Sequence, residues 1–398
     1  MSDKRTELIH HPYTPPAGFS APQPGVFKAS TVFFPNVAAM RSREWKDKTA
    51  YTYGLHGTPT SYLLEERLAA LEGGAQCLLV PSGLAAIATV ALSLLRSGDE
   101  VLIPDNAYGP NKSLAQGELQ GWGITHQFYD PMDPQDLARR IGPSTKLVWL
   151  EAAGSVTLEF PDLREQVRIC RAAGVRCALD NTWGAGLAFD AFALGAEQGV
   201  DLTIHALTKY PSGGGDVLMG AIVTRDEALH IRLKLTHMRL GLGVGMNDVE
   251  AVLRALPSLP LRYAAHDRTA RTLARWCQSR PEIAQVLHPA LAGSPGHVHW
   301  KTLCGEDEGR AAGLFSVIFD ARYPAERVDA FCDALQRFKL GYSWGGPISL
   351  VVPYTLAPMR QVWPAHLVPG TLVRFSTGLE AVEDLQADLA QALASALT

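Results

Sequence analysis

Between residues 76 and 209 the chain alternates short apolar runs with longer amphipathic stretches. The short runs are rich in β-branched residues and predict buried strands, and the amphipathic stretches predict helices. Predicted strands are Gln76–Val80, Glu100–Ile103, Thr125–Tyr129, Lys146–Glu151, Arg176–Asp180 and Leu202–Leu207. Predicted helices between them are Leu84–Leu95, Ser113–Gln120, Pro134–Ile141 and Leu163–Ala173. This alternation predicts an α/β fold with a mainly parallel sheet covered by helices on both faces.

The sequence on either side of this region has a different character. Residues 1–57 are rich in proline and polar residues and predict an N-terminal arm, followed by a helix over Ser61–Leu71 that Gly73-Gly74 ends. After Gly220 the predicted elements are helices Glu227–Leu240, Val249–Leu256, Tyr263–Arg280, Ala325–Leu335 and Ala381–Ala396, with strands Ser316–Asp320 and Leu372–Ser376. We therefore predict a larger domain over 58–250 and a smaller α+β domain over 251–398.

Composition excludes several classes of function. The net charge of the 398 residues is −4, which does not favour nucleic-acid binding. The longest apolar run, 83–95, is shorter than the roughly 20 residues that a membrane span requires. The start of the chain lacks a signal-peptide pattern, and the six cysteines form no CxxC pair, which favours free thiols in a reducing compartment. We expect a cytoplasmic protein without membrane or nucleic-acid partners.

Two ionisable residues lie at the ends of predicted buried strands. Lys209 follows the strand Leu202–Leu207, and Asp180 ends the strand before it, 29 residues earlier. Partial burial lowers the pKa of an amine, and a neutral amine is nucleophilic. Ligands of such sheets bind beyond the carboxyl ends of the strands, where both residues fall. An acid and a lysine placed this way suit pyridoxal phosphate, although a surface lysine and a helix-capping aspartate fit the spacing alone equally well.

Other residues near strand ends could hold the remaining parts of such a cofactor. Ser82-Gly83-Leu84 opens a helix, and the free N–H groups at a helix start suit a phosphate. Thr208 offers a hydroxyl beside them, and Tyr108 could cover a flat ring. Taken alone, these features also fit an ordinary strand–turn–helix junction and a surface tyrosine.

Five segments together resemble a known family. They are Tyr53–Thr58, Leu71–Gly74, Asp180–Trp183, Thr208–Tyr210 and Arg374–Glu380. With these, the chain from about Thr31 onward resembles the cysteine/methionine-metabolism enzymes that use pyridoxal 5'-phosphate. The resemblance implies fold type I, the aspartate-aminotransferase-like fold with a seven-stranded sheet. It also implies a small amino-acid substrate and a homotetramer whose active sites are shared between subunits.

The resemblance implies roles for individual residues. Lys209 would bind the cofactor covalently and move the substrate α-proton, Asp180 would pair with the pyridine nitrogen, and Tyr108 would stack on the ring. The remaining cofactor-binding residues would be Gly83, Leu84, Thr208 and Tyr53, with Tyr53 reaching the phosphate of a neighbouring subunit.

Substrate binding is assigned in the same way. Arg374, with Ser343, would bind the substrate α-carboxylate, for which a guanidinium fork is the natural bidentate partner. Tyr342 and Trp344 would form the wall beside it. An ion pair with a purely structural role is the alternative for Arg374.

Two further segments resemble the β-lyase branch of the family. They are Gly154–Glu159 and Gly341–Gly346, and they imply β-elimination of L-cystathionine. A γ-enzyme of the same family is the first alternative. A non-catalytic homologue is the second, because Leu55 and Ala206 stand where relatives often have Arg and Ser. His297-Val298-His299 falls in a predicted loop without a third ligand at suitable spacing, so we expect no metal site.

Overall fold

The computed structural model describes residues 3–42, 45, 48, 50–195, 199–305 and 307–397. Parts of the predicted arm, at 1–2, 43–44, 46–47 and 49, lie outside the described residues. Within its described part the arm holds two short helices, α1 (Lys4–Ile9) and α2 (Val37–Ser42), and a 3-10 turn at Gly54–His56. Most of its other residues are exposed or half-buried. The described part of the arm is therefore largely exposed in this chain, and its limits stay a prediction.

The first sheet has seven strands in the order β1-β7-β6-β5-β4-β2-β3. Their bounds are β1 Gln76–Val80, β2 Glu100–Pro104, β3 Thr125–Tyr129, β4 Thr145–Glu151, β5 Arg176–Asp180, β6 Leu202–Ala206 and β7 Gly220–Thr224. Strands β3, β2, β4, β5 and β6 run parallel, and β7 is antiparallel to both β1 and β6. The predicted mainly parallel sheet is confirmed, and it includes a strand, β7, that was not predicted.

Helices cover both faces of this sheet and enclose two cores. Leu64 and Leu68 pack on one face, and Ile87 and Val90 pack on the other. The helices here are α3 Pro59–Glu72, α4 Gly83–Leu94, α5 Gly109–Leu114, α6 Pro134–Arg140, α7 Leu163–Ala172, α8 Glu227–Leu240 and α9 Met246–Ala255. Most ends of these helices differ from the predicted ends by only a few residues. The predicted helix Ser113–Gln120 is largely a π-helical turn.

The second sheet has five strands in the order β10-β11-β12-β9-β8. They are β8 Ile283–Leu287, β9 Leu314–Phe319, β10 Lys339–Leu340, β11 Leu350–Tyr354 and β12 Leu372–Ser376, with helices α10 Leu259–Gln278, α11 His297–Cys304, α12 Ala325–Ala334 and α13 Val382–Leu397. This is the predicted smaller α+β part. The first turns of α10 pack in the core of the larger sheet and its later turns in the core of the smaller one. Residue 250 lies inside α9, and the domain limits stay a prediction.

One sequence-based expectation is corrected by the fold. His297 and His299 lie in α11 rather than in a loop, because Gly296 has a positive φ and begins the helix instead of interrupting it. The helix α8 packs against α4 and β1 and buries Lys234 and His237. Among the described residues we find no cluster of three or more metal-ligating side chains. No helix in the described ranges is long and apolar enough to span a bilayer.

Candidate active site

A cavity of about 590 Å³ opens beyond the carboxyl ends of β4, β5 and β6. Ten of the eleven residues predicted for the site line it: Gly83, Leu84, Tyr108, Asp180, Thr208, Lys209, Tyr342, Ser343, Trp344 and Arg374. Tyr53 does not line it and is 44% exposed, with its hydroxyl 3.3 Å from the Ser30 hydroxyl. The fold therefore brings together residues from both sheets, and their chemical roles remain predictions.

Lys209 is held in the cavity by the turn that follows β6. Its backbone N–H donates to the Ala206 carbonyl (3.1 Å), and Gly213 N–H donates to the Lys209 carbonyl (3.2 Å). The Nζ donates to Ser343 Oγ at 2.7 Å. Burial, helped by the positive charge of Arg374, lowers the pKa of Lys209 to about 8. At pH 7 about a tenth of the amine is then neutral, far more than for an exposed lysine.

Asp180 ends β5 at the floor of the cavity, next to Glu151 at the end of β4. Its carboxylate accepts the Thr182 N–H at 3.0 Å. Burial raises the pKa of Asp180, although His205 and Lys209 oppose that rise. Burial and the charge of Asp180 raise the pKa of Glu151 to about 8. Two buried carboxyl groups side by side favour a bound cation, and a protonated pyridine nitrogen is one.

Sequence reasoning missed Glu151, and only the parallel pairing of β4 with β5 reveals it. It lines the cavity and accepts the Tyr108 backbone N–H at 2.8 Å, which fixes the start of α5. Tyr108 itself is 42% exposed at the cavity wall. Burial and the nearby charges of Asp180 and Glu151 raise the pKa of the Tyr108 phenol, so the ring is neutral and suited to stacking.

A second buried pair lies next to this floor and was also missed. His205 Nε2 is 2.9 Å from Glu72 Oε2, and Asn181 Nδ2 donates to Glu72 Oε1 at 2.6 Å. The pKa of His205 is raised because Glu72 outweighs the effect of burial. Glu72 belongs to Leu71–Gly74, one of the segments that resemble the family. Its hydrogen bond with Asn181 connects that segment to the residue that follows Asp180.

The start of α4 forms the opposite end of the cavity. Ser82 Oγ accepts the Ala85 N–H (3.0 Å), which leaves Gly83 and Leu84 with N–H groups that have no acceptor within the helix. Gly83 packs against Ala206, where an added Cβ would lie 2.7 Å from the Ala206 Cβ. Thr208 lines the same end. Free N–H groups, a hydroxyl and the positive end of a helix suit a phosphate.

Arg374 lies on β12 and is buried beside Ser343. Its Nη2 donates to the Ser343 carbonyl at 3.4 Å, and its Nε lacks a hydrogen-bond partner within the described ranges. Ser343 has φ +99°, a strained value for a residue with a side chain. Trp344 lies with its ring 5.3 Å from Lys209 Nζ, and Tyr342 is 81% exposed at the rim. A buried guanidinium with an unpaired Nε suits a carboxylate ligand.

Free helix N–H groups, a buried acid and a lysine of lowered pKa together define a pyridoxal-phosphate enzyme of fold type I. Residues 5–394 match the family described as Cys/Met metabolism PLP-dependent enzyme, and the chain belongs to that family. The enzyme therefore uses pyridoxal phosphate, and the residues of the cavity fit that cofactor.

Individual relatives carry different names. A protein named cystathionine beta-lyase from Bordetella avium is 37% identical over 97% of this chain and 96% of its own. One named L-alanine/L-glutamate racemase from Wolbachia pipientis wMel is 34% identical, over 93% and 92%. The solved structure of cystathionine gamma synthase from Xanthomonas oryzae pv. oryzae, in complex with aminoacrylate and cysteine, superimposes with TM-score 0.88 at 28% identity, covering 100% and 99%.

Proposed function

We propose that this enzyme catalyses β-elimination of L-cystathionine, giving homocysteine, pyruvate and ammonia with the uptake of one water. The observation that carries the proposal is the position of Tyr342-Ser343-Trp344 next to Lys209. Ser343 Oγ accepts a hydrogen bond from Lys209 Nζ at 2.7 Å, and the Trp344 ring lies 5.3 Å from the same nitrogen. This segment belongs to Gly341–Gly346, one of the two segments that resemble the β-lyase branch.

Each residue then has a separable task. The bound cofactor supplies an electron sink for the charge that forms at the substrate α-carbon. Arg374 and Ser343 bind the α-carboxylate, so the substrate is held in one orientation. Lys209 takes the proton from the α-carbon, because its lowered pKa leaves part of the amine neutral. Trp344 covers the side on which the carbon–sulfur bond breaks.

The main alternative is a γ-enzyme of the same family, which the γ-synthase structure at TM-score 0.88 represents. The number of possible proton acceptors in the cavity does not distinguish a β-lyase from a γ-enzyme. Glu151 lines the cavity in addition to Lys209. The racemase relative adds a third reaction that begins with the same α-proton transfer.

Product identity tests the proposal. We expect purified holoenzyme to convert L-cystathionine to pyruvate and homocysteine in equal amounts, measured by chromatography of the keto acids and free thiols. Formation of 2-oxobutyrate and cysteine as main products would instead support a γ-lyase. Formation of D-alanine from L-alanine, without keto acid from L-cystathionine, would support a racemase. No product from either substrate would support the non-catalytic homologue.

We further propose that Tyr53 serves the active site of a neighbouring subunit in a homotetramer. Tyr53 is exposed and lies outside the cavity of its own chain, which supports a role in trans. Leu55, two residues later, then faces the same phosphate. We expect Leu55→Arg to tighten cofactor binding about tenfold or more, since a charge-assisted hydrogen bond contributes about 1.5–3 kcal/mol.

Cofactor dissociation during dialysis, followed by absorbance, measures this effect. Leu55→Gln is the matched control, because it adds a polar side chain without charge. Equal dissociation constants for Leu55→Arg and the parent would show that Leu55 does not face a phosphate.

A further inference from the structure

The loops that border the cavity meet at one buried carboxylate, Glu159. Its oxygens accept hydrogen bonds from Arg360 Nη2 (3.0 Å), Asn106 Nδ2 (2.9 Å) and Thr157 Oγ1 (2.5 Å). His366 Nε2 lies 3.0 Å from Glu159 Oε1. We call these five residues the Glu159 hub. The side chains of Glu159 and Arg360 are 1% and 5% exposed, so the centre of the hub is buried, whereas the His366 side chain is 31% exposed.

Four members of the hub are sequence neighbours of cavity-lining residues. Asn106 precedes Tyr108 by two residues, Thr157 and Glu159 flank Leu158, and Arg360 follows Met359. Tyr108, Val156, Leu158 and Met359 all line the cavity, whereas no hub residue does. The hub therefore holds the cavity wall from behind, without touching the space inside it.

The backbone around the hub is fitted closely to Asn106. Ser155 N–H donates to the Asn106 carbonyl at 2.9 Å, and a Cβ added to Gly154 would lie 2.0 Å from Asn106 Nδ2. Glycine, serine, threonine and glutamate of the segment Gly154–Glu159 thus each have a place around one asparagine. This gives a physical reason for a segment that resembles the β-lyase branch.

A second anchor holds the same loop on its other side. Lys112 Nζ donates to the Met359 carbonyl (2.8 Å) and to Asp105 Oδ1 (2.6 Å), and Gln361 N–H donates to Asp105 Oδ2 (2.9 Å). Residues 359–361 lie between β11 and β12 of the second sheet, whereas Asp105 and Lys112 follow β2 of the first. Met359 is therefore fixed against the first sheet from both sides.

The charge of Glu159 makes this arrangement depend on Arg360. A carboxylate buried to this extent is costly unless a partner charge and hydrogen bonds compensate it. Arg360 is that partner, and the pKa of Glu159 falls to about 2 against the effect of burial. Glu159 is thus ionised at every working pH, and loss of Arg360 would leave it uncompensated.

We propose that the Glu159–Arg360 pair is a positioning pair that sets the width of the cavity between Met359 and Tyr108, and thereby selects among sulfur substituents of the substrate. The proposal rests on the proposed β-lyase activity. Met359, Val156 and Leu158 are apolar residues of the cavity lining, and Arg374 and Ser343, the proposed carboxylate site, line the cavity as well. Under this proposal a long substituent on sulfur lies along these apolar residues, whereas a methyl group ends before them.

The test compares two substrates in Arg360→Gln. We expect kcat/KM for L-cystathionine to fall about tenfold or more, because displacement of a positioning element by about 1 Å can cost as much as 100-fold. With S-methyl-L-cysteine we expect kcat/KM within about twofold of the parent. Arg254→Gln is the matched control, because it removes an arginine–glutamate pair on the exposed face of α9. It should leave both values unchanged.

An equal fall in kcat/KM for both substrates in Arg360→Gln would overturn the proposal. A merely structural pair would not change the ratio of kcat/KM for L-cystathionine to kcat/KM for S-methyl-L-cysteine. If Arg360→Gln does not fold, the double variant Glu159→Gln with Arg360→Met removes both charges at once, and the same ratio is expected to fall. An unchanged ratio in that variant overturns the proposal as well.

Hydrogen exchange separates this proposal from the proposed function. We expect faster exchange in the peptides covering 101–112 and 355–366 of Arg360→Gln holoenzyme, and not in Arg254→Gln. If the parent forms no pyruvate from either substrate, the proposed function fails, and exchange still reports on the hub. Unchanged exchange in both peptides would show that the pair does not position this wall.

Discussion

Lys209→Ala is expected to lose turnover by about 1,000-fold or more. The substitution removes both the covalent attachment to the cofactor and the proton acceptor, and general base catalysis alone contributes about 100- to 10,000-fold. It also removes the donor to Ser343 Oγ. The measurement is kcat with L-cystathionine. Borohydride reduction of the parent followed by peptide mass mapping should place the cofactor on residue 209.

The control for this variant is Lys339→Ala, which removes an exposed lysine on β10. It should keep parent activity and cofactor content. Activity of Lys209→Ala near that of the parent would show that another residue carries the chemistry, and cofactor mass found on a different peptide would identify it.

Asp180→Asn should lower kcat by about 100-fold or more, with a smaller effect on cofactor occupancy. The amide keeps an oxygen that can accept the Thr182 N–H, so the local fold is retained. It cannot supply the negative charge that keeps a pyridine nitrogen protonated, and removal of one preorganised electrostatic partner costs about 100- to 1,000-fold in kcat. Kinetics and absorbance of the bound cofactor measure the two effects separately.

The exposed Asp329 on α12 gives the matched control, Asp329→Asn. An unchanged kcat in Asp180→Asn would mean that Asp180 serves only as a cap for the backbone after β5. Equal losses of kcat and of cofactor occupancy would mean that it holds the cofactor without activating it.

Periodicity in the sequence was sufficient for most of the larger sheet. Residues Thr125–Tyr129 and Arg176–Asp180 were predicted with their observed bounds, because each is a short stretch that follows a helix in the strand–helix alternation. Strands β7, β8, β10 and β11 were not predicted. β10 has only two residues, and β8 and β11 are only partly buried, so local pattern carries little information about them. β7 is fully buried and five residues long, so neither reason applies to it.

By itself the sequence determined the family, the cofactor, and the position of Lys209 and Asp180 at strand ends. Short segments of sequence are sufficient for these predictions, because each depends on a local pattern of residues. Tertiary structure alone decided that Glu151 lies beside Asp180, that His205 pairs with Glu72, and that Arg360 reaches Glu159 from 201 residues away. The physical reason is that burial and charge pairing depend on which strands and loops meet, and no local pattern encodes a contact between distant segments.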